Sequence, residues 1–410
     1  MRRGIGMEYS SLYNLYFQDK DRQEAIYQER FRSESSHHFD LKINGSKAFL
    51  FLHPDHFALI TEIYRLDKKI QILSDALPGA AAMQFIKECL INEIQNTNDI
   101  EGVVSTKKEI RDILDQLSTK KNDRLFGMVN RYSFLLEKHA FNLKTPSDVR
   151  QIYDDLVGDE IRGSNPDDEL DGTIFRKSTV YLYRAAGTVL HEGINPESEI
   201  IAYLSDALRI LDEESLDFLT RIAVFHYLFG YIHPFYNGNG RVNRFIGSYL
   251  LNRTFTPVVS FRMSQQIKEQ KKMYYEAFEK NNDPRNRGDL GTFCFYFLQI
   301  LKNLFSSTLN LLTEKTERLD HYHGLLESCN LQEKDKRLLY LLIQGSLFSD
   351  HGITIRNLAQ NMDQSVPWVR KKMALFQSKN WIQKSRNGRE LGFSANLSEM
   401  ERLPCLKKTE

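Results

Sequence analysis

The sequence predicts a mainly α-helical protein with one short β-hairpin in its middle and a mixed helix–strand unit at its C-terminus. Three observations carry this reading. Apolar residues recur at spacings of three and four along most of the chain. One segment, residues 173–183, instead alternates and is β-branched. From about residue 333 the pattern changes again, to three short helical stretches and two strands around an Asn-Gly pair. Three regions are expected: an N-terminal helical region over 1–115, a core over 116–330 and a C-terminal domain over 331–410.

The elements follow in order. Residues 1 to about 60 look poorly regular, with a polar stretch over 33–47 and an extended piece over 48–52. Leu59, Ile63, Leu66, Ile70 and Leu73 then mark a helix. A second helix spans about 80–96, with Phe85, Ile86, Cys89, Leu90 and Ile94 on one stripe, and further helical patterns cover 107–117 and 123–138. Residues 158–172 read as a loop, because Gly158, Gly163, Asn165-Pro166 and Asp171-Gly172 are turn signals. Helices return over 199–211 and 215–232. The second is apolar nearly all round, which places it centrally. A glycine-rich loop leads to a helix from Arg241, and helical patterns continue to about 329.

Bulk properties narrow the setting. The 410 residues are 41% hydrophobic and 27% charged, an ordinary globular balance, and the net charge of +1 gives no global pull toward nucleic acid or membrane. Cys89, Cys294, Cys329 and Cys405 are far apart, so the spacing predicts neither a disulfide framework nor a zinc site and favours a reducing compartment. The N-terminal MRRGIGMEYS lacks an apolar run behind its basic residues, and no stretch of about 18 apolar residues occurs. The expectation is a cytoplasmic protein with no membrane partner.

Chemistry concentrates in His233-Pro-Phe-Tyr-Asn-Gly-Asn-Gly-Arg-Val-Asn-Arg244. This segment joins the buried helix to the start of the next. Gly238 and Gly240 permit backbone angles closed to other residues and allow a ligand to come close. The first amides of the following helix lack intrahelical partners, and with the helix dipole they make an anion site. Arg241 and Arg244 share the first turn, and two guanidinium forks suit a polyphosphate. His233 can take a proton from an attacking hydroxyl, and the Asn239 amide can donate to a phosphoryl oxygen.

The segment resembles the signature of the Fic family, H-P-F-x-[DE]-G-N-G-R-x-x-R, at every fixed position but one, and the likeness extends over about residues 50–330. The resemblance implies a helical fold that moves AMP from ATP to a Ser, Thr or Tyr hydroxyl of a protein. It makes His233 the general base and Phe235 the anchor of the loop. Gly238, Asn239 and Gly240 become the hole for the α-phosphate, with Arg241 and Arg244 on the outer phosphates. The departure is Asn237, where the family usually has a carboxylate for Mg2+ (or Mn2+). The amide keeps a carbonyl oxygen but loses the charge, so weaker metal affinity is expected.

Three further segments resemble family elements. Thr97-Asn-Asp-Ile-Glu-Gly102 matches an inhibitory motif, [ST]-x-x-x-E-[GN], which implies that Glu101 pairs with Arg244 and holds it from the γ-phosphate. Residues 172–182 resemble the family's flap, with Thr173, Ile174, Phe175, Thr179, Val180 and Tyr181 offering an edge to an extended target. Tyr275 and Asn282 fit the spacing of a tyrosine and an asparagine around adenine.

The C-terminal order is helix over 334–347, helix over 354–362, helix over 365–379, then strands over 381–384 and 391–393 around Asn387-Gly388. This resembles a winged-helix domain. Arg370, Lys371, Lys372, Lys384, Arg386 and Arg389 cluster on it, which suits phosphates; the partner implied is DNA or a protein. The whole reads as a self-inhibited protein adenylyltransferase acting on a protein substrate, with removal of AMP, self-modification and a homodimer compatible with it. The alternative is a nucleotide-sensing winged-helix regulator that binds DNA or a partner protein.

Overall fold

The structure is a computed structural model, described over residues 9–403 apart from 122, 138, 184–186 and 388–389. The first sixty residues are more regular than expected. Helices Leu12–Gln18 and Lys20–Arg32 are each started by a side-chain cap, Ser11 and Asp19. Strands His37–Ile43 and Ser46–Leu50 pair antiparallel around Asn44-Gly45, both of which adopt positive φ. The buried side chains Phe39, Leu41 and Ile43 recur with period two inside the stretch that composition alone marks as polar.

Helices Pro54–Ala76 and Gly79–Ile100 follow, then Lys107–Asp115 and Phe126–Leu136. Residues 158–172, expected as loop, are partly helical: a π-helical turn Asp154–Gly158 runs into helix Asp159–Ser164 and a 3-10 turn Pro166–Asp168. Gly158 is buried in the π-helical turn, whereas Gly163 is exposed within the helix that follows.

Helix Phe218–Ile232 is the central element. Eight of its apolar side chains, from Leu219 to Ile232, are fully shielded, as its all-round apolar sequence requires. Against it pack helix Glu197–Ile210, helix Asn239–Thr254 and the first half of the 38-residue helix Gly291–Ser328. The second half of that long helix carries the C-terminal unit.

In that unit the order is helix Glu333–Phe348, strand Ile353–Thr354, helices Ile355–Met362 and Val366–Ser378, then strands Ile382–Asn387 and Glu390–Ala395. The last strand is central in a three-stranded antiparallel sheet, with Lys384 opposite Phe393 and Arg386 opposite Leu391. The two-residue strand is too short to leave a sequence pattern. Arg370, Lys371, Lys384 and Arg386 are exposed, whereas Lys372 is paired with Asp335 at 2.7 Å. Gly388 and Arg389 lie outside the described residues.

This unit rests on helices Gly79–Ile100 and Lys107–Asp115. Phe348 meets Phe85 edge-on at 5.8 Å, and Lys107 pairs with Asp350 at 2.8 Å. Arg111 forks the Glu88 carboxylate at 2.8 and 3.0 Å. No helix among the described residues is long and apolar enough to cross a membrane. Cys89 and Cys294 are free and buried. Cys329 is disulfide-bonded, against the expectation from spacing, because separation along the chain does not limit proximity in the fold.

Candidate active site

Helix Phe218–Ile232 stops because His233 takes the left-handed conformation, φ 53° and ψ 62°, and Pro234 follows. For a non-glycine residue this costs about 1 kcal/mol or more, a strain that the surroundings must hold. They do so through Arg176. Its fully buried guanidinium donates to the carbonyls of His233 at 3.0 Å, Ser178 at 2.7 Å and Ile194 at 2.8 Å. The sequence reading placed Arg176 in a strand and missed this; a lone arginine amid alternating residues carries no other signal.

Beyond His233 the loop turns inward on Phe235, fully buried and stacked on Tyr153 with ring centroids 4.0 Å apart. Asn239 closes the loop: its Oδ1 accepts the Phe235 N–H at 3.0 Å and its Nδ2 donates to the Phe235 carbonyl at 2.8 Å. Both ends of that amide are thereby engaged, so what Asn239 offers an anion is its backbone N–H and not the side chain. Gly238 has φ 81°, and a Cβ there would press on Ile161 and Val157 at 3.0 and 3.1 Å. It caps helix Asn239–Thr254, whose first residues, Asn239 and Gly240, border the cavity described below.

The two arginines of the first turn part company. Arg241 is buried against Glu160, with which it forms an ion pair, and does not border the cavity described below. Arg244, also buried, is enclosed by the C-terminal end of helix Gly79–Ile100. Its Nε donates to Thr97 Oγ1 at 2.8 Å, and Nη2 donates to the Thr97 carbonyl at 3.0 Å and to Glu101 Oε1 at 2.8 Å. A Cβ on Gly240 would collide with the Glu101 carboxylate, which therefore lies directly on the first turn of the signature helix. Burial acts to raise the Glu101 pKa, but Arg244 outweighs it and holds the carboxyl below its ordinary range. Burial acts to lower the Arg244 pKa; Glu101 more than offsets this.

Glu93, two turns earlier on the same helix, fixes that helix in place. Its fully buried carboxylate accepts from the Ser264 N–H at 2.8 Å, the Ser264 hydroxyl at 2.5 Å and the Ser248 hydroxyl at 3.3 Å. Burial pushes its pKa up to about 7 against these bonds. Nothing in sequence distinguishes Glu93 from a surface glutamate except its place on the apolar stripe.

A cavity of about 510 Å³ unites the site. His233, Gly240, Arg244 and Glu101 border one part of it, and Tyr274, Tyr275, Phe278 and Asn282 another. Loss of solvent, then the positive fields of His191 and Arg176, lower the His233 pKa to about 4, so its ring is neutral at physiological pH. Tyr275 is partly exposed to the cavity. Asn282 Oδ1 accepts from the Tyr227 hydroxyl at 2.8 Å, and the Asn44 side chain donates to the Asn282 carbonyl, so the N-terminal hairpin braces this end.

The hairpin lies further along the chain than expected. Residues 173–180 form no strand. The Glu197 carboxylate accepts the N–H groups of Thr173, Ile174 and Phe175 at 3.1, 2.7 and 2.9 Å, and Phe175 is a fully buried core residue. The alternation there serves anchoring, not pairing. Thr179 and Val180 lead into the hairpin, in which Tyr181–Tyr183 pairs with Val189–Glu192. Of the six flap residues expected, only Tyr181 is in a strand; Leu182, Tyr183, Leu190 and His191 border the cavity.

Asn237 stands outside the cavity, exposed. Its Oδ1 accepts the Gly238 N–H at 2.7 Å and its Nδ2 donates to Asp168 Oδ2 at 3.0 Å. Among the described residues no group of three or more His, Cys, Asp or Glu could hold a metal ion.

Comparison with known proteins agrees with this geometry. Residues 143–251 match the model of the Fic/DOC family. The chain is 26% identical over 272 residues to a protein adenylyltransferase Fic of Drosophila ananassae, covering 64% of this chain and 49% of that one. It is 25% identical over 316 residues to a protein adenylyltransferase Fic of Aedes aegypti, covering 73% and 58%. The match thus spans about half the length of these relatives. A crystal structure of a Fic family protein from Desulfovibrio desulfuricans shares the fold, with TM-score 0.52 and 19% identity over 84% of this chain and 97% of that one. Loop, cavity and likeness agree: residues 143–251 are similar to a Fic/DOC domain and the chain shares the fold of a Fic family protein.

Proposed function

We propose that this chain is a protein adenylyltransferase, which transfers AMP from ATP to a Ser, Thr or Tyr hydroxyl of a protein. The observation that carries the reading is the single cavity shared by a neutral His233, the open start of helix Asn239–Thr254, Arg244 and the Tyr275–Asn282 end. In this reading adenine lies by Tyr275 and Asn282. The backbone N–H groups of Gly238, Asn239 and Gly240 hold the α-phosphate, and Arg244 the outer phosphates. The target chain lies along the hairpin at Tyr181–Tyr183. His233 takes the hydroxyl proton; the hydroxyl oxygen bonds to the α-phosphorus, and the bond to the bridging oxygen breaks to release pyrophosphate. Arg241, held by Glu160, contributes through the field of the helix start and not by direct contact.

Glu101 is the inhibitor in this reading. Its carboxylate lies on Gly240 and against Arg244, where phosphate oxygens are expected. A nucleotide then binds with its tail displaced and its α-phosphate misaligned for in-line attack. In the same reading this carboxylate would orient water for removal of AMP. A Mg2+ or Mn2+ ion, when bound with the nucleotide, neutralises developing charge on the phosphates. Among the described residues no side-chain group is assembled to hold such an ion, so its ligands would be phosphate oxygens and water. The C-terminal unit is read as a winged helix whose exposed Arg370, Lys371, Lys384 and Arg386 meet DNA or an acidic protein. A second reading, a nucleotide-sensing regulator, draws support from the uncharged Asn237; His233 argues against it, since a sensor needs no base.

The test is self-labelling of purified protein with α-labelled ATP and Mg2+ or Mn2+. Glu101→Gly is expected to label at least about tenfold faster than wild type, given how steeply rate depends on alignment. Labelling equal to or below wild type, with the variant folded by circular dichroism, would remove the inhibitory role.

A further inference from the structure

The hairpin and the signature loop meet at Arg176. Its guanidinium is fully buried, and among the described residues no carboxylate pairs with it. Burial lowers its pKa, with only the field of Tyr236 acting against this. A buried cation without a counter-charge is costly, and packing alone would be served better by an apolar side chain. What the guanidinium does instead is bridge. Nε donates to the His233 carbonyl at 3.0 Å, Nη1 to the Ser178 carbonyl at 2.7 Å and Nη2 to the Ile194 carbonyl at 2.8 Å.

Ser178 and Ile194 flank the hairpin, the first just before strand Tyr181–Tyr183 and the second just after strand Val189–Glu192. Between them the Gly193 N–H donates to the Val180 carbonyl at 2.9 Å and closes the root. The Ile194 N–H donates to the Ile232 carbonyl at 3.1 Å, and the Ser178 N–H to the Tyr236 hydroxyl at 3.0 Å. Both arms are thereby tied to the segment that carries His233. Gly193 is what admits the guanidinium: a Cβ there would lie 2.5 Å from Arg176 Nη2 and 3.2 Å from the His233 Cβ.

We infer that Arg176 is a positioning residue for AMP transfer: it fixes the root of the hairpin to the His233 carbonyl, so that a hydroxyl presented on the hairpin and the imidazole that takes its proton keep one geometry. The inference rests on the adenylyltransferase reading above. Arg176 does not border the cavity, so it acts through the two elements it joins. Three nitrogens in one plane serve carbonyls that converge from different segments. A lysine ammonium is a single atom on a flexible stem and cannot span them. Transfer depends steeply on this spacing, since a misplacement of about 1 Å costs about 100-fold in rate. Arg244 and the first amides of helix Asn239–Thr254, which hold the nucleotide in that reading, are not among the groups Arg176 binds. Rate and nucleotide affinity should therefore separate.

The test uses full-length protein carrying Glu101→Gly. Self-labelling from α-labelled ATP gives the rate, and calorimetry with α,β-methylene ATP gives the affinity. Arg176→Lys is expected to slow labelling by about 100-fold and to leave the affinity within about twofold. Gly193→Ala, which drives a methyl group against the guanidinium, should reproduce that split with Arg176 still in place. Because both changes break one contact, the double variant should be within about twofold of the slower single one, whereas independent faults would multiply. Should Arg176→Lys fail to fold by circular dichroism, Gly193→Ala decides alone. Labelling at the parent's rate, a loss of affinity as large as the loss of rate, or multiplied losses in the double variant overturns the inference. If the Glu101→Gly parent neither labels nor binds the analogue, the adenylyltransferase reading fails instead.

Discussion

Residues 233–244 and residues 173–192 both contribute to the cavity, yet their side chains are committed in different ways. In the first segment Phe235 is buried in the core, Asn239 locks the turn, Gly238 supplies the positive φ and Arg244 meets the neighbouring helix. Nearly every residue has a local task that its type announces. In the second segment the residues with most β character, Ile174 and Phe175, are drawn into the core, and the hairpin forms beyond them, from the more exposed Tyr181 and Tyr183. Alternation has two causes, pairing and anchoring, and from sequence they look the same. A motif in which each residue performs its own chemistry can be read along the chain; a surface hairpin whose pairing depends on what lies beneath it cannot.

The sharpest test of this contrast lies in the first segment. His233→Ala should lower transfer by about 10²–10⁴-fold, the usual worth of a general base, while nucleotide affinity by calorimetry stays within about twofold. Retained transfer would make the ring a structural cap. Arg244→Ala should weaken nucleotide binding by about 10–100-fold, as expected from losing charged hydrogen bonds worth about 1.5–3 kcal/mol. Unaltered affinity would mean that the arginine serves Glu101 alone.

In the second segment the effects should separate by residue. Phe175→Ala removes a fully buried ring and should cost about 3–5 kcal/mol in urea unfolding. Tyr183→Ala, at an exposed position, should cost no more than about 0.5 kcal/mol yet reduce labelling of a protein target while ATP affinity holds. Equal stability losses would erase the distinction between anchor and edge. The smallest effect concerns protonation. Since His233 titrates near 4, its ring is neutral above that pH, and its NMR shifts should stay flat between pH 5.5 and 8. A midpoint near 6.5 would show a solvated ring and weaken the account of a base held ready at neutral pH.

What sequence revealed follows the same division. The central helix and the turn at Gly238 were legible, because periodicity and glycine each act over a few residues; the pairing of Glu101 with Arg244 was implied only by the family resemblance. The C-terminal helices fell within one residue of their expected ends at most positions. Illegible were Arg176, Glu93 and Asp168, whose partners lie on other elements, and the split between Arg241 and Arg244. Two arginines on one turn look alike in sequence; Glu160 and Thr97, far apart in the chain, decide where each points.

Arg244 and Glu101 belong to one polypeptide, and this has a consequence for dose. A carboxylate supplied by a separate protein would leave when diluted. One tethered by a continuous helix end competes for the guanidinium at a fixed effective concentration, whatever the amount of protein in the cell. Making more of the chain therefore does not change the fraction of molecules in which Arg244 is occupied. Only something that moves helix Gly79–Ile100, or an anion abundant enough to displace Glu101, can do so. The same helix bears the C-terminal unit at Phe85 and Glu88, so an agent bound there would have to work against the Glu93 bonds that fasten it to Ser264 and Ser248.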